Sequence, residues 1–175
     1  MNQLTRFLVW FTRLHHCRGF GIQSPTDYWL VRYVINEHWP YYQYEALSRG
    51  EDWLRSKLGQ LYMRLANWRQ PHAITAHDYH AYWNAGCQRA TVTPTLTTPV
   101  ELMLTDIAEA DTLLDTLEGC TNDQSVVIVE SLWRDKAAWQ RLVNDSRCTI
   151  TFDLYYCGII MFDSKRTKQN YVINF

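Results

Sequence analysis

His72, His77, Asp78 and His80 fall within one short stretch and carry side chains that could ligate a metal or move a proton. Two acids further on, Asp106 and Glu130, could share a cation. Imidazoles at short spacing suit zinc or another borderline ion. His72, however, directly follows Pro71, and its spacing to His77 and His80 matches no recognised ligand pattern, so the three read as unrelated histidines around a strand end. His15-His16-Cys17 fails geometrically, because adjacent helix residues point about 100° apart and rarely share an ion. Asp106 and Glu130 close two β-capable runs, 100–104 and 126–129. On neighbouring parallel strands such ends are where open α/β sheets hold ligands. The plain reading is that Asp106 caps a helix and Glu130 is a solvated strand end. The alternative is a residual divalent-cation pair. Ser24 lies in no Gly-x-Ser-x-Gly elbow, so no nucleophile is expected there.

The turn that would hold a nucleotide or cofactor follows the first strand. Ala73-Ile74-Thr75-Ala76 is short, apolar and β-capable after Pro71, and His77-Asp78-Tyr79-His80 comes next without a glycine. A cofactor's polar tail approaches backbone amides only where Cβ atoms are missing and positive φ is tolerated. This turn therefore looks unable to cradle one. It leads instead into Tyr79, Tyr82 and Trp83, rings expected to collapse onto the strand ends and plug the opening, since burying each is worth roughly 2–3 kcal/mol.

Composition narrows the class. A chain of 175 residues supports one well-packed domain, because about 150 residues bury close to 70% of their unfolded surface. A net charge of −1 gives no bulk electrostatic case for nucleic acid or an anionic membrane, and Lys165, Arg166 and Lys168 read as a solvated turn. Five cysteines with no C-x-x-C pair argue for reduced thiols in a cytoplasm. Phe7-Leu-Val-Trp-Phe11 is too short to span a bilayer and is followed by no small-residue cleavage site.

Leu4, Phe7, Leu8, Phe11 and Leu14 recur at helical spacing, predicting an amphipathic helix over 3–16 with Arg6 and Arg13 outward and the apolar stripe buried on a neighbouring helix or a second copy. Ser24-Pro25-Thr26-Asp27 supplies an N-cap, a proline at the first position and a first-turn acid for a second helix to about Ile35. An aromatic connector, Trp39, Tyr41, Tyr42 and Tyr44, is either an interaction surface or filling, and a helix over 51–68 ends before Pro71. β-capable runs at 73–76, 91–93, 100–104, 126–129, 148–162 and 171–175 then alternate with helical patterns at 79–89, 108–119 and 135–144. That alternation predicts a mainly parallel sheet covered on both faces, with Ser125–Glu130 at its centre. The linker 163–169 is too short for a crossover helix, so 148–162 and 171–175 are expected to pair antiparallel, with Tyr156-Cys157-Gly158 bulging or breaking the longer run.

Several phrases follow one another along this frame: Gly21-Ile22-Gln23-Ser24-Pro25, Arg64-Leu65-Ala66-Asn67-Trp68-Arg69-Gln70-Pro71 and Leu104-Thr105-Asp106. Val129-Glu130-Ser131-Leu132-Trp133, Ala138-Trp139 and the run from Phe152-Asp153-Leu154 to Gly158-Ile159 complete the set. With the order of helical segment, parallel core and closing hairpin, they resemble the class I S-adenosylmethionine-dependent methyltransferases, specifically a bacterial small-molecule O-methyltransferase-like subfamily. The likeness covers most of residues 18–175. It implies an acid and a Gly-rich loop after strand one and an acid after strand two, where this chain has Ala76-His77-Asp78-Tyr79-His80 and Thr93-Pro94-Thr95. The helix and strand that normally follow strand two look deleted.

The expectation is therefore a truncated Rossmann-like α/β fold, with an N-terminal helical segment (1–70) packed on a shortened core (71–175) as one structural domain. Its remnant cleft is marked by Asp78, Tyr79, Asp106 and Glu130. The expected function is that of a degenerate, methyltransferase-like interaction or assembly module, cytoplasmic, with no catalytic residue, no cofactor and no metal. A protein partner or self-association is expected, and neither nucleic acid nor membrane. The alternative is an active O-methyltransferase using S-adenosylmethionine, with Asp106 and Glu130 as metal ligands.

Overall fold

Seven strands form one sheet in the computed structural model, which describes residues 3–175, Arg18 without its side chain. From the amino terminus, α1 (Gln3–Thr12) leads through a 3-10 turn to α2 (Pro25–Leu30), which π-helical turns extend to Ile35, and then to α3 (Gln43–Leu47) and α4 (Trp53–Arg69). Strands and helices then alternate: β1 (Ala73–Thr75), α5 (His80–Gly86), β2 (Thr91–Thr93), β3 (Leu102–Asp106), α6 (Ala110–Thr116), β4 (Val126–Glu130), α7 (Lys136–Asn144), β5 (Ile150–Asp153), β6 (Cys157–Met161) and β7 (Gln169–Val172).

The strand order is β2-β1-β3-β4-β6-β5-β7, and only β6 runs against its neighbours. β4 lies at the centre, as its β-branched run requires. Its period-2 alternation sends Val126 and Ile128 into the layer under α2, α4 and α5, and Val127 and Val129 into the layer under α6 and α7. β2 forms the edge directly beside β1, so the sheet ends one strand beyond its first, in keeping with the short link from Thr93 to Leu102.

Local chemistry sets the helix ends. The Ser24 hydroxyl accepts from the Asp27 amide to open α2, and Asp52 accepts from Leu54 and Arg55 to open α4. α4 ends on Gln70, which takes a left-handed backbone (φ 48°) immediately before Pro71.

Three expectations are corrected. The run 148–162 is not one strand paired to 171–175. It folds on itself as the antiparallel hairpin β5–β6, and β7 pairs parallel to β5. Asp153 ends β5 by accepting the Tyr155 amide, which lets Tyr155 turn at φ 71°. Since β6 runs backwards, Met161 at its end and Gln169 at the start of β7 both lie level with Ile150, so the short linker suffices while the two strands remain non-neighbours. The turn 163–168 is also not merely solvated: Arg166 reaches the buried carboxylate of Asp27 at 2.6 Å, where the Tyr171 hydroxyl also donates.

The third correction concerns the packing of the α1 stripe on the helix at 51–68 of the same chain. α1 ends at Thr12, and Leu4, Phe7, Leu8 and Phe11 are each more than half exposed. The helix is held by its other face. Arg6 lies 3.6 Å from the centre of the Trp53 ring, Arg13 donates to Asp153 and the Ile173 carbonyl, and Asn174 donates to the Trp10 carbonyl. Long arginine stems lie along the protein and their guanidinium groups find partners there, which leaves the apolar stripe outward.

Candidate functional site

The carboxyl ends of β1, β3 and β4 meet beneath α4 and α5, and the site there is built from aromatic rings. Thr75 and Ala76 are buried, and the Ala76 amide donates to the Thr93 carbonyl, fixing the end of β1 against β2. The turn then exposes His77 and Asp78 and places Tyr79 at φ 61°. A non-glycine residue there costs roughly 1–2 kcal/mol, so its surroundings must hold it. They do: the Asp78 carboxylate accepts the Tyr79 amide at 2.7 Å, the Arg55 guanidinium stacks 4.5 Å from the ring centre, and the ring edge meets Tyr62 at 4.8 Å.

Tyr79, Tyr82 and Trp83 are all buried, at 7%, 2% and 0% exposure. Trp83 stacks on Tyr62 at 4.9 Å and 10°, and its indole N–H donates to the Asp78 carbonyl. Two glycines let the helices close on these rings. A Cβ on Gly59 would lie 2.5 Å from the Tyr82 ring, and one on Gly86 would lie 2.2 Å from the Met63 carbonyl oxygen. Tyr79 and Trp83 thus pack on Tyr62, which reaches Glu130 at the end of β4, and Tyr82 packs against α4 at Gly59.

The carboxylates are engaged by the chain itself. Glu130 is not a solvated strand end: the Tyr62 hydroxyl donates to it at 2.5 Å, and the Tyr79 hydroxyl lies near enough to influence its titration. Burial raises its pKa, the two hydroxyls oppose that rise, and the charges of Asp106 and Asp78 add to it. Burial likewise drives the Tyr62 phenol well above its ordinary value. Asp106 pairs in register with Glu130 across β3 and β4, and its carboxylate caps the following turn through the Ala108 amide. Asp78 receives both Arg55 guanidinium nitrogens, at 2.6 and 2.8 Å, and that pair holds its pKa down at about 2.

The three histidines are not gathered together. His72 points to Glu101 at 3.5 Å, and His77 and His80 are exposed. Among the described residues, no three of His, Cys, Asp or Glu are grouped as a metal would need. At the end of β2, Thr93 accepts the Thr95 amide. In the aromatic connector Trp39 and Tyr42 are exposed, whereas Tyr44 is half-buried and accepts from Arg64.

Two residues essential to this arrangement, Arg55 and Tyr62, escaped the sequence reading as site residues. Their signal was present: Arg55, Gly59, Tyr62 and Ala66 recur at i, i+4, i+7 and i+11 and mark one face of α4. What that face meets depends on tertiary packing.

Among the described residues, no helix is long and apolar enough to cross a membrane. No protein-family model, curated protein or solved structure matches the chain.

Proposed function

We propose that the chain is a methyltransferase-like domain that carries out no methyl transfer and serves as an interaction or assembly module. The observation that carries this reading is the filling of the strand-end cleft by Tyr79, Tyr82 and Trp83, all buried, with Glu130 spent on the Tyr62 hydroxyl. The sheet supports the methyltransferase-like part through its parallel core closed by one reversed strand. The module part is supported by α1, whose stripe of Leu4, Phe7, Leu8 and Phe11 is an apolar face that the chain leaves uncovered. Five free cysteines, three of them buried, fit a reducing cytoplasm.

Incubation of the full chain with methyl-labelled S-adenosylmethionine and small hydroxyl-bearing acceptors, with and without magnesium, tests the reading. No labelled product is expected. Magnesium-stimulated turnover that Glu130→Gln abolishes would overturn it in favour of a metal-assisted enzyme. Light scattering of the full chain beside a Leu8→Glu, Phe11→Glu variant tests the module: self-association that the variant loses supports assembly through α1.

A further inference from the structure

Helix α4 has a second face with a different content. Trp53, Lys57, Gln60 and Arg64 recur at i, i+4, i+7 and i+11 and form one wall of a cavity of about 770 Å³. α1 forms the opposite wall with Arg6 and Trp10, and Asn36 and Phe175 help to complete the enclosure. The volume lies in the range of about 300–1,000 Å³ typical of small-molecule sites.

The polar groups around this space are mostly donors. Arg64 is buried and donates to the Val34 carbonyl at 2.6 Å, the Ile35 carbonyl at 3.0 Å and the Tyr44 hydroxyl at 3.0 Å. Those partners are all neutral, and two of its roughly five N–H donors stay uncommitted. The Lys57 ammonium lies over the Phe175 ring at 4.1 Å and near the Trp53 ring at 5.4 Å. Among the described residues, no carboxylate comes within ion-pair distance of Arg6, Lys57 or Arg64. Glu37 is the one acid among the lining residues, and it accepts the Tyr41 hydroxyl at 2.9 Å. Asn36, only 7% exposed, has an amide nitrogen with no hydrogen-bond partner. A buried donor left unmade is a standing penalty, and partly buried cations without counter-charge are another. Both are relieved by a molecule that brings negative charge and acceptor oxygens.

We propose that this cavity binds a small organic carboxylate with an aromatic or alkyl body, its oxygens taken by Lys57, Arg64 and Asn36 and its body lying against Trp53 and Phe175. Arg6, stacked on Trp53, adds long-range attraction at the rim. The site is separate from the ring-filled cleft and stands whether or not that cleft is inert. Burial first, and then the charges of Arg64 and Arg6, hold the Lys57 pKa down at about 8, with Cys157 opposing. Cys17, Glu37, His38 and Tyr156 are the other titratable side chains along the lining besides the two arginines. A bound carboxylate favours the charged ammonium, so binding above that pKa draws in a proton.

Calorimetric titration of the full chain with 2-naphthoate and with neutral 2-naphthamide tests the proposal. Naphthoate is expected to saturate a single site, and the amide to bind at least about 10-fold more weakly, as loss of a charge-assisted contact implies. At about pH 8.5, titrations in two buffers of different ionisation enthalpy should show net proton uptake with naphthoate and none with the amide. Lys57→Met should weaken naphthoate by about 10-fold and abolish the uptake. Arg6→Gln, at the rim and outside the buried core, should weaken it about 2- to 5-fold in low salt, with circular dichroism showing the fold retained. Absence of saturable naphthoate binding, equal affinity for acid and amide, or unchanged affinity in the folded variants would overturn the proposal.

Discussion

Trp83→Ala tests whether the rings at the strand ends are core or ornament. The indole is fully buried, stacked on Tyr62 and bonded to the Asp78 carbonyl. A tryptophan that goes from exposed to buried removes roughly 200 Å² from water, which at about 25 cal/mol/Å² is about 5 kcal/mol. Residual burial in the unfolded chain lowers that to about 4 kcal/mol, within the 3–5 kcal/mol or so seen for large-to-small changes at aromatic core positions. Asp78 lies at the surface, so water can replace the lost indole donor and little is added for its carbonyl. Trp83→Phe keeps most of the ring and loses the hydrogen bond, for an expected cost of about 1–2 kcal/mol. Equilibrium urea unfolding followed by circular dichroism measures both, with Trp39→Ala as the exposed control, expected within about 0.5 kcal/mol of wild type. A cost for Trp83→Ala below about 1 kcal/mol, or equal to that of the control, would refute the ring-filled cleft.

Gly59→Ala gains about 1 kcal/mol of helix propensity, but its Cβ would meet the Tyr82 ring; net destabilisation of about 1–2 kcal/mol is expected by thermal unfolding. Asp27→Asn removes the carboxylate that holds Arg166 and Tyr171. Because Arg166 keeps some solvent, we expect about 2–3 kcal/mol rather than the full cost of breaking a buried pair, read from the urea midpoint. Asp78 titrates near 2 in the folded chain, below its ordinary value, because Arg55 binds its charged form. Its contribution to stability is therefore complete above about pH 4 and lost as the pH falls toward 2. Asp78→Asn should flatten the acid limb of the stability curve in that window, an effect kept small by exposure.

The elements legible in the sequence are those whose cause is local. Ser24-Pro25-Thr26-Asp27 starts a helix wherever it occurs, Pro71 stops one, and Val126–Val129 can only be a strand buried on both faces. The burial of Tyr79, Tyr82 and Trp83 was legible for the same reason, since three rings that follow a strand end gain most by leaving water. The hairpin within 148–162 was legible only as a break expected around Tyr156-Cys157-Gly158, because its turn is made just before that by Asp153 and Tyr155 with no glycine or proline in it. The outward stripe of α1 was hidden because arginine can serve either face of a helix: its charge suggests solvent, and its stem and planar head suit an aromatic ring or a carboxylate. Tyr62 with Glu130, and Asp27 with Arg166, join residues far apart in the chain. No periodicity announces them.

Isothermal titration of the full chain with S-adenosylmethionine tests the central claim most directly. With the cleft occupied by Tyr79, Tyr82 and Trp83 and without glycines after Ala76 or an acid after Thr93, no saturable heat is expected up to about 1 mM ligand. A one-to-one isotherm with a micromolar dissociation constant would contradict it.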